Sequence, residues 1–181
     1  MKIIVLDRDG VINHDSDDYI KSADEFIPIP GSIEAIATLC AAGFRVVIAS
    51  NQSGVARNFF DEEQLSEIHH YLCSMVEEAG GIIDGIFYCP HHPDDGCSCR
   101  KPNTGLLEQI EKEFDCELLD SFFVGDSLKD IEAAKAFACS PILVRTGKGL
   151  ITEGQLQLAH DTSTPIYDDL SGFVSSIDNN E

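Results

Sequence analysis

Lys2-Ile3-Ile4-Val5-Leu6-Asp7-Arg8-Asp9-Gly10 is the stretch that decides how the rest of this chain folds. Four consecutive apolar residues, three of them β-branched, are too few for a helix and read as a short strand. The run does not alternate with polar residues, so both faces of the strand are covered, as in a parallel sheet packed between helices. It stops at two acids separated by an arginine, then a glycine that can turn the chain. Charges directly after such a strand stand at its carboxyl end, where open α/β sheets bind their ligands.

Working outward, the same alternation recurs. Ser32–Ala42 carries Ile33, Ile36, Ala37, Leu39 and Cys40 at helical spacing and closes at Gly43; Phe44–Ala49 is a second strand. Asp61 and Gln64 form a capping box for a helix ended by Gly80-Gly81. Asp84–Tyr88 is a third strand, followed by an irregular loop and a helix over Thr104–Phe114. Ser121–Val124 is a fourth strand, Ser127 with Asp130 caps a helix to Ala138, and Pro141–Val144 is a fifth strand. A short strand near Ile166 and a helix from Asp168 to about Ile177 complete the pattern. The expected fold class is α/β, a doubly wound, mainly parallel, Rossmann-like sheet. Residues 1–178 form one domain, and 179–181 a frayed end.

Composition narrows the partners. A net charge of −20 argues against a nucleic-acid surface. No apolar run approaches the roughly 18 residues of a membrane span, and the start lacks a signal peptide. Seven cysteines, an odd number, with no export signal, imply reduced thiols and a cytoplasmic setting. A monomer is the default expectation. Arg8, Arg57, Arg100, Lys101, Arg145 and Lys148 all fall after expected strands or in their loops, which suggests a small anionic substrate.

Four strand ends carry polar residues: Asp7-Arg8-Asp9-Gly10, Ser50-Asn51-Gln52-Ser53-Gly54, Arg100-Lys101-Pro102, and Gly125-Asp126-Ser127. Their chemistry fits phosphoryl transfer. A carboxylate that attacks a phosphate must overcome charge repulsion, so cations are needed beside both. Asp7, Asp9 and Asp126 would hold Mg²⁺, a hard ion that takes oxygen ligands. Lys101 would share the charge of the transferring group, and Ser50 would donate a hydrogen bond to it. Asp7 is the candidate nucleophile. Asp9, two residues on, is the candidate acid and then base.

The four segments, in this order, resemble the haloacid dehalogenase superfamily over most of the chain. The resemblance implies that the first Asp is the nucleophile and the second the acid/base. It also implies magnesium ligands from the Asp7 side chain, the Asp9 main-chain carbonyl and Asp126. Members often insert a cap domain; here the intervals between motifs are filled, so no cap and an open site are expected.

Between the third strand and Lys101, Cys89, His91, Cys97 and Cys99 offer three sulfurs and an imidazole within eleven residues, a Cys₃His set suited to structural Zn²⁺. His92 is the alternative imidazole. The zinc loop, 89–99, ends directly at Arg100-Lys101 and would hold both cations in the site. This loop narrows the resemblance to the capless, zinc-bearing branch that contains phosphatases of heptose bisphosphates and of histidinol phosphate. Ser50-Asn51-Gln52-Ser53-Gly54-Val55-Ala56-Arg57 is similar to the heptose-type stretch. By that resemblance Arg100 contacts substrate, Asn51, Gln52 and Ser53 line its site, and a flap of Asp15, Ser16, Asp17 and Asp18 adds sugar contacts. Ser127, where some members carry a basic residue, and Arg57 join the expected substrate contacts. The expected activity is magnesium-dependent removal of the 7-phosphate from a heptose 1,7-bisphosphate, a small phosphorylated sugar, on the way to nucleotide-activated heptose. Histidinol-phosphate phosphatase and a non-catalytic, zinc-stabilised binding module are the alternatives.

Overall fold

A computed structural model describes residues 2–178; the expected frayed end at 179–181 lies outside the described residues. Six strands form one sheet: β1 (Lys2–Leu6), β2 (Phe44–Asn51), β3 (Gly85–Cys89), β4 (Phe122–Gly125), β5 (Ser140–Val144) and β6 (Ile166–Tyr167). Every pairing is parallel, in the order β3-β2-β1-β4-β5-β6. The helices are α1 (Ser32–Ala41), α2 (Glu62–Glu78), α3 (Gly105–Phe114), α4 (Leu128–Ala136), α5 (Gly149–Leu158) and α6 (Leu170–Asp178). The mainly parallel expectation thus becomes a wholly parallel sheet.

Period-two alternation along the strands divides the core. Ile4, Leu6, Val46, Ile48, Val124 and Val144 face one side and pack with residues of α1, α2 and α6. Ile3, Val5, Val47, Ala49 and Phe123 face the other and pack with Leu106, Leu107 and Ile110 of α3 and Ala133 and Ala134 of α4. The chain winds outward from β1 through β2 to β3, crosses back, and winds the other way through β4, β5 and β6. The direction of winding reverses between β1 and β4. Both strands end in the candidate acids, which therefore meet at the crevice such a reversal opens.

Helix starts follow the local chemistry. Asp61 accepts from Gln64 N while the Gln64 side chain accepts from Asp61 N, the expected capping box. Ser127 and Asp130 form a second box at α4. The helix α5 was not expected from the sequence. Its Leu150, Ile151 and Leu158 are 67%, 69% and 85% exposed, so it lacks the apolar stripe that betrays a helix packed on a core.

Candidate active site

Asp7, one residue past β1, is buried, and its backbone N–H donates to Val124 O, tying it to β4. Its Oδ1 lies 3.0 Å from Lys101 Nζ. Lys101 is buried and contacts Asp130 Oδ1 at 2.6 Å, and its Nζ donates to Ala49 O at 2.7 Å. The Asn51 amide clamps the Lys101 peptide from both sides, donating to Lys101 O at 3.1 Å and accepting from Lys101 N at 3.0 Å. Asn51, expected to line the phosphate site, is thus also the group that holds the lysine. Burial opposes the Lys101 charge, yet Asp130 and Asp7 keep its pKa above the ordinary range.

Carboxylate oxygens of Asp7, Asp126 and Asp130 lie within 4.8 Å of one another. Burial pushes the Asp7 carboxyl up to about 7, with Lys101 opposing and Asp130 and Asp9 reinforcing the shift. Burial, then repulsion from Asp7 and Asp130, pushes Asp126 up to about 8, although Lys148 N–H donates to its Oδ2 at 2.7 Å. Clustered, desolvated oxygens of this kind suit a hard divalent cation. Gly10 and Gly147 admit this crowding: each has positive φ, and a Cβ on either would fall 2.0 or 2.2 Å from Asp126 Oδ2.

The Asp9 carboxylate lies outside that cluster, beside it in the same cleft. Its oxygens accept from Arg8 Nη2 at 2.8 and 3.0 Å, Asn13 Nδ2 at 2.9 Å and Gln52 Nε2 at 2.8 Å. Burial would raise the Asp9 pKa, but Arg8 and these donors outweigh it and hold the group ionised. Gln52 Nε2 also donates to Ser50 Oγ at 2.8 Å, which leaves the serine's own hydroxyl hydrogen free to point elsewhere. Arg8, counted in sequence among the substrate-facing cations, is fully buried and absent from the cleft walls. It clamps Asp9 and donates through Nη1 to His69 Nε2 at 3.3 Å. Burial, then Arg8, pushes His69 down to about 3, so this mid-helix histidine is a neutral acceptor.

The zinc-type residues converge as their spacing implied. Separations are 3.5 Å for Cys89 Sγ–His91 Nδ1, 3.5 Å for Cys89–Cys97, 3.2 Å for His91 Nδ1–Cys99 and 3.6 Å for Cys97–Cys99. Zn–S bonds of about 2.3 Å in a tetrahedron give edges of about 3.7 Å, so the four donors fit that ion. His92 instead caps the turn Pro93–Asp95, accepting from Asp94 N, and this decides between the two imidazoles. The loop is joined to the site at two points and braced by Asn103 at a third. Cys99 is followed directly by Arg100 and Lys101, Cys89 O accepts from Gln52 N at 2.8 Å, and Asn103 Nδ2 donates to Cys97 O at 2.8 Å.

The carboxyl ends of the strands open into one cleft of ≈ 680 Å³. Its walls include Asp7, Asp9, Asp15, Ser16, Asp17, Ser50, Asn51, Gln52, Ser53, Arg100, Lys101, Asp126 and Ser127. Asp18 and Arg57 are exposed and lie outside the lining, so two expected contacts are not brought to it. Ser127 reaches the cleft, but its Oγ donates to Asp130 Oδ2 at 2.6 Å as part of the helix cap. Arg145, expected among the substrate cations, is held by Glu153 at 2.7 Å and Asp168 at 2.8 Å. Sequence reasoning missed Asn13, which no strand-end pattern marks, and Lys129, hidden within a helix start.

A family model described as HAD-hydrolase-like matches residues 98–173. The D-glycero-beta-D-manno-heptose-1,7-bisphosphate 7-phosphatase of Pseudomonas aeruginosa is 52% identical over 175 residues, covering 97% of each chain. This chain belongs to the HAD-like hydrolases. Its fold superposes with a TM-score of 0.95 and 45% identity, over 100% of both chains, on D,D-heptose 1,7-bisphosphate phosphatase from B. bronchiseptica complexed with magnesium and phosphate. The D,D-heptose 1,7-bisphosphate phosphatase from Burkholderia thailandensis follows at a TM-score of 0.73 and 37% identity, over 98% of each chain. This HAD-like hydrolase has no cap among the described residues: the intervals between its strands hold the helices of the core and two longer loops, 7–31 and 90–104, each with only a single helical turn. None of its described helices is long and apolar enough to cross a membrane.

Proposed function

We propose that this chain hydrolyses the 7-phosphate of D-glycero-β-D-manno-heptose 1,7-bisphosphate through an aspartyl-phosphate on Asp7, acting as one catalytic domain. The observation that carries this reading is the buried Asp7–Lys101 pair at 3.0 Å, facing Asp126, in a chain matched end to end by phosphatases of that substrate. Asp7 Oδ attacks phosphorus as the bond to the 7-oxygen breaks, and Asp9 gives that oxygen its proton. Asp9, now ionised, takes a proton from the water that splits the aspartyl-phosphate, restoring Asp7 and releasing inorganic phosphate. Because Arg8, Asn13 and Gln52 keep Asp9 ionised in the resting site, its protonated form arises once an anionic phosphate sits beside it. Lys101, held in place by Asn51, offsets the charge on the transferring group, and the Ser50 hydroxyl donates to one of its oxygens.

Asp7, Asp126 and the Asp9 carbonyl would hold magnesium, which supplies further neutralisation of phosphoryl charge when bound. The magnesium and phosphate in the B. bronchiseptica phosphatase support this. Cys89, His91, Cys97 and Cys99 would hold a structural zinc, and their thiol chemistry suits the reducing cytoplasm. The β assignment follows the names of the relatives. Phosphate release from the β and α heptose bisphosphates and from histidinol phosphate tests the reading. The β anomer is expected to be turned over fastest, and equal or faster release from histidinol phosphate would sink the assignment.

A further inference from the structure

Three cations in the cleft are left over once the reacting phosphate has been provided for. Arg100 comes from the end of the zinc-type loop, Lys129 from the first turn of α4, and Lys148 from the turn before α5; all three line the cleft. Arg100 Nη1 is buried with no hydrogen-bond partner. Lys129 is exposed and has no ion-pair partner among the described residues. Lys148 Nζ lies 3.1 Å from Asp15 Oδ2 on the flap.

Of the acids nearby, Asp130 is engaged by Lys101 and by Ser127, and Asp15 pairs with Lys148; the cleft-lining Glu132 and Asp17 form no ion pair with Arg100 or Lys129 among the described residues. Burial, then Arg100 and Lys148, draws the Lys129 pKa below its ordinary value, as expected where like charges face one another. Such an arrangement is relieved by an incoming anion, and a planar guanidinium with two ammonium groups matches a phosphate dianion better than a single carboxylate.

We propose that Lys129, together with Arg100 and Lys148, forms a second anion subsite that grips the phosphate that is not hydrolysed, making Lys129 a specificity-determining residue. In this site Lys148 exchanges Asp15 for phosphate. Lys129 supplies the charge that Ser127, occupied by its helix cap, does not. The inference rests on the reading that the substrate is a sugar bisphosphate.

The test is the ratio of kcat/KM for the heptose 1,7-bisphosphate to that for the heptose 7-phosphate. In Lys129→Met this ratio is expected to fall about tenfold, mainly through KM, and Lys129→Arg should retain it. Lys148→Met should lower it as well. An unchanged ratio in both Met variants, or equal losses on the two substrates, would overturn the subsite. A wild-type protein that ignores the heptose bisphosphate would remove the functional reading alone. The same ratio, measured on other sugar bisphosphates and their monophosphates, then decides the subsite.

Discussion

Replacing Asp126 by Asn should stabilise the magnesium-free protein at pH 8 while removing its activity. Asp7 and Asp126 have carboxyl groups raised to about 7 and about 8, against 3.8 for an ordinary Asp. Both folded-state values lie above the unfolded ones, so between about pH 4 and pH 8 the folded state binds more protons than the unfolded chain. Stability therefore declines as pH rises through that window, and is recovered as pH falls. A tenfold change in proton affinity on folding corresponds to about 1.4 kcal/mol, but the two carboxylates share one repulsion and the Asn amide must still fit between Gly10 and Gly147. A gain on the order of 2–4 kcal/mol at pH 8 is expected, about 5–10 °C in Tm for a chain of this size. Lys148 N–H keeps its acceptor, since Asn retains Oδ1, so the helix approach is undisturbed. The assay is thermal and urea unfolding in magnesium-free buffer without chelator, at pH 8 and pH 5, followed by addition of magnesium. The advantage should shrink at pH 5, and magnesium should stabilise the native protein more than the variant. A variant less stable than the native protein at pH 8 without magnesium, or equally advantaged at both pH values, would refute the electrostatic reasoning.

Other outcomes follow from neighbouring contacts. Removing the zinc proposed for the Cys89–His91–Cys97–Cys99 site, or Cys97→Ser, should lower Tm and also reduce turnover by on the order of 100-fold, because the loop positions Lys101 and Gln52; full turnover in metal-stripped protein, verified by metal analysis, would break that link. Asn51→Ala should cut kcat more than it raises KM, since it frees the Lys101 peptide without removing a charge; steady-state kinetics on the 7-phosphate substrate reads the split. Asp161, bonded by Lys135, Ser163 and Thr164, has its pKa held well below 3.8. Its stabilisation is present above about pH 4 and lost as pH falls, so the Tm deficit of Asp161→Asn should narrow in acid.

Much of the fold was legible because its signals are local. Lys2–Leu6 ends where the apolar run ends, and Asp61 with Gln64 marks a helix start in four residues. The helix α5 escaped because Leu150, Ile151 and Leu158 face solvent and only Gly149, Thr152 and Leu156 are buried, leaving no stripe to read. Within the site, Asp7, Asp9, Lys101 and Asp126 were visible as an ordered set of strand ends, as was the Cys₃His spacing. Arg8, Arg57 and Arg145 were misplaced because a charge after a strand can point into the cleft, into the core or along the surface.

By itself the sequence determined the strands, the helix caps and the inventory of donors and acids at the carboxyl ends of the sheet, since each depends on residues within a few positions. Tertiary structure alone decided which charge meets which. Lys101 lies between Asp7 and Asp130, Arg8 is claimed by Asp9 and His69, and Arg145 is held by Glu153 and Asp168. Such pairings are set by the crossovers that bring distant strand ends together. Their strength depends on burial, which no single stretch of sequence contains.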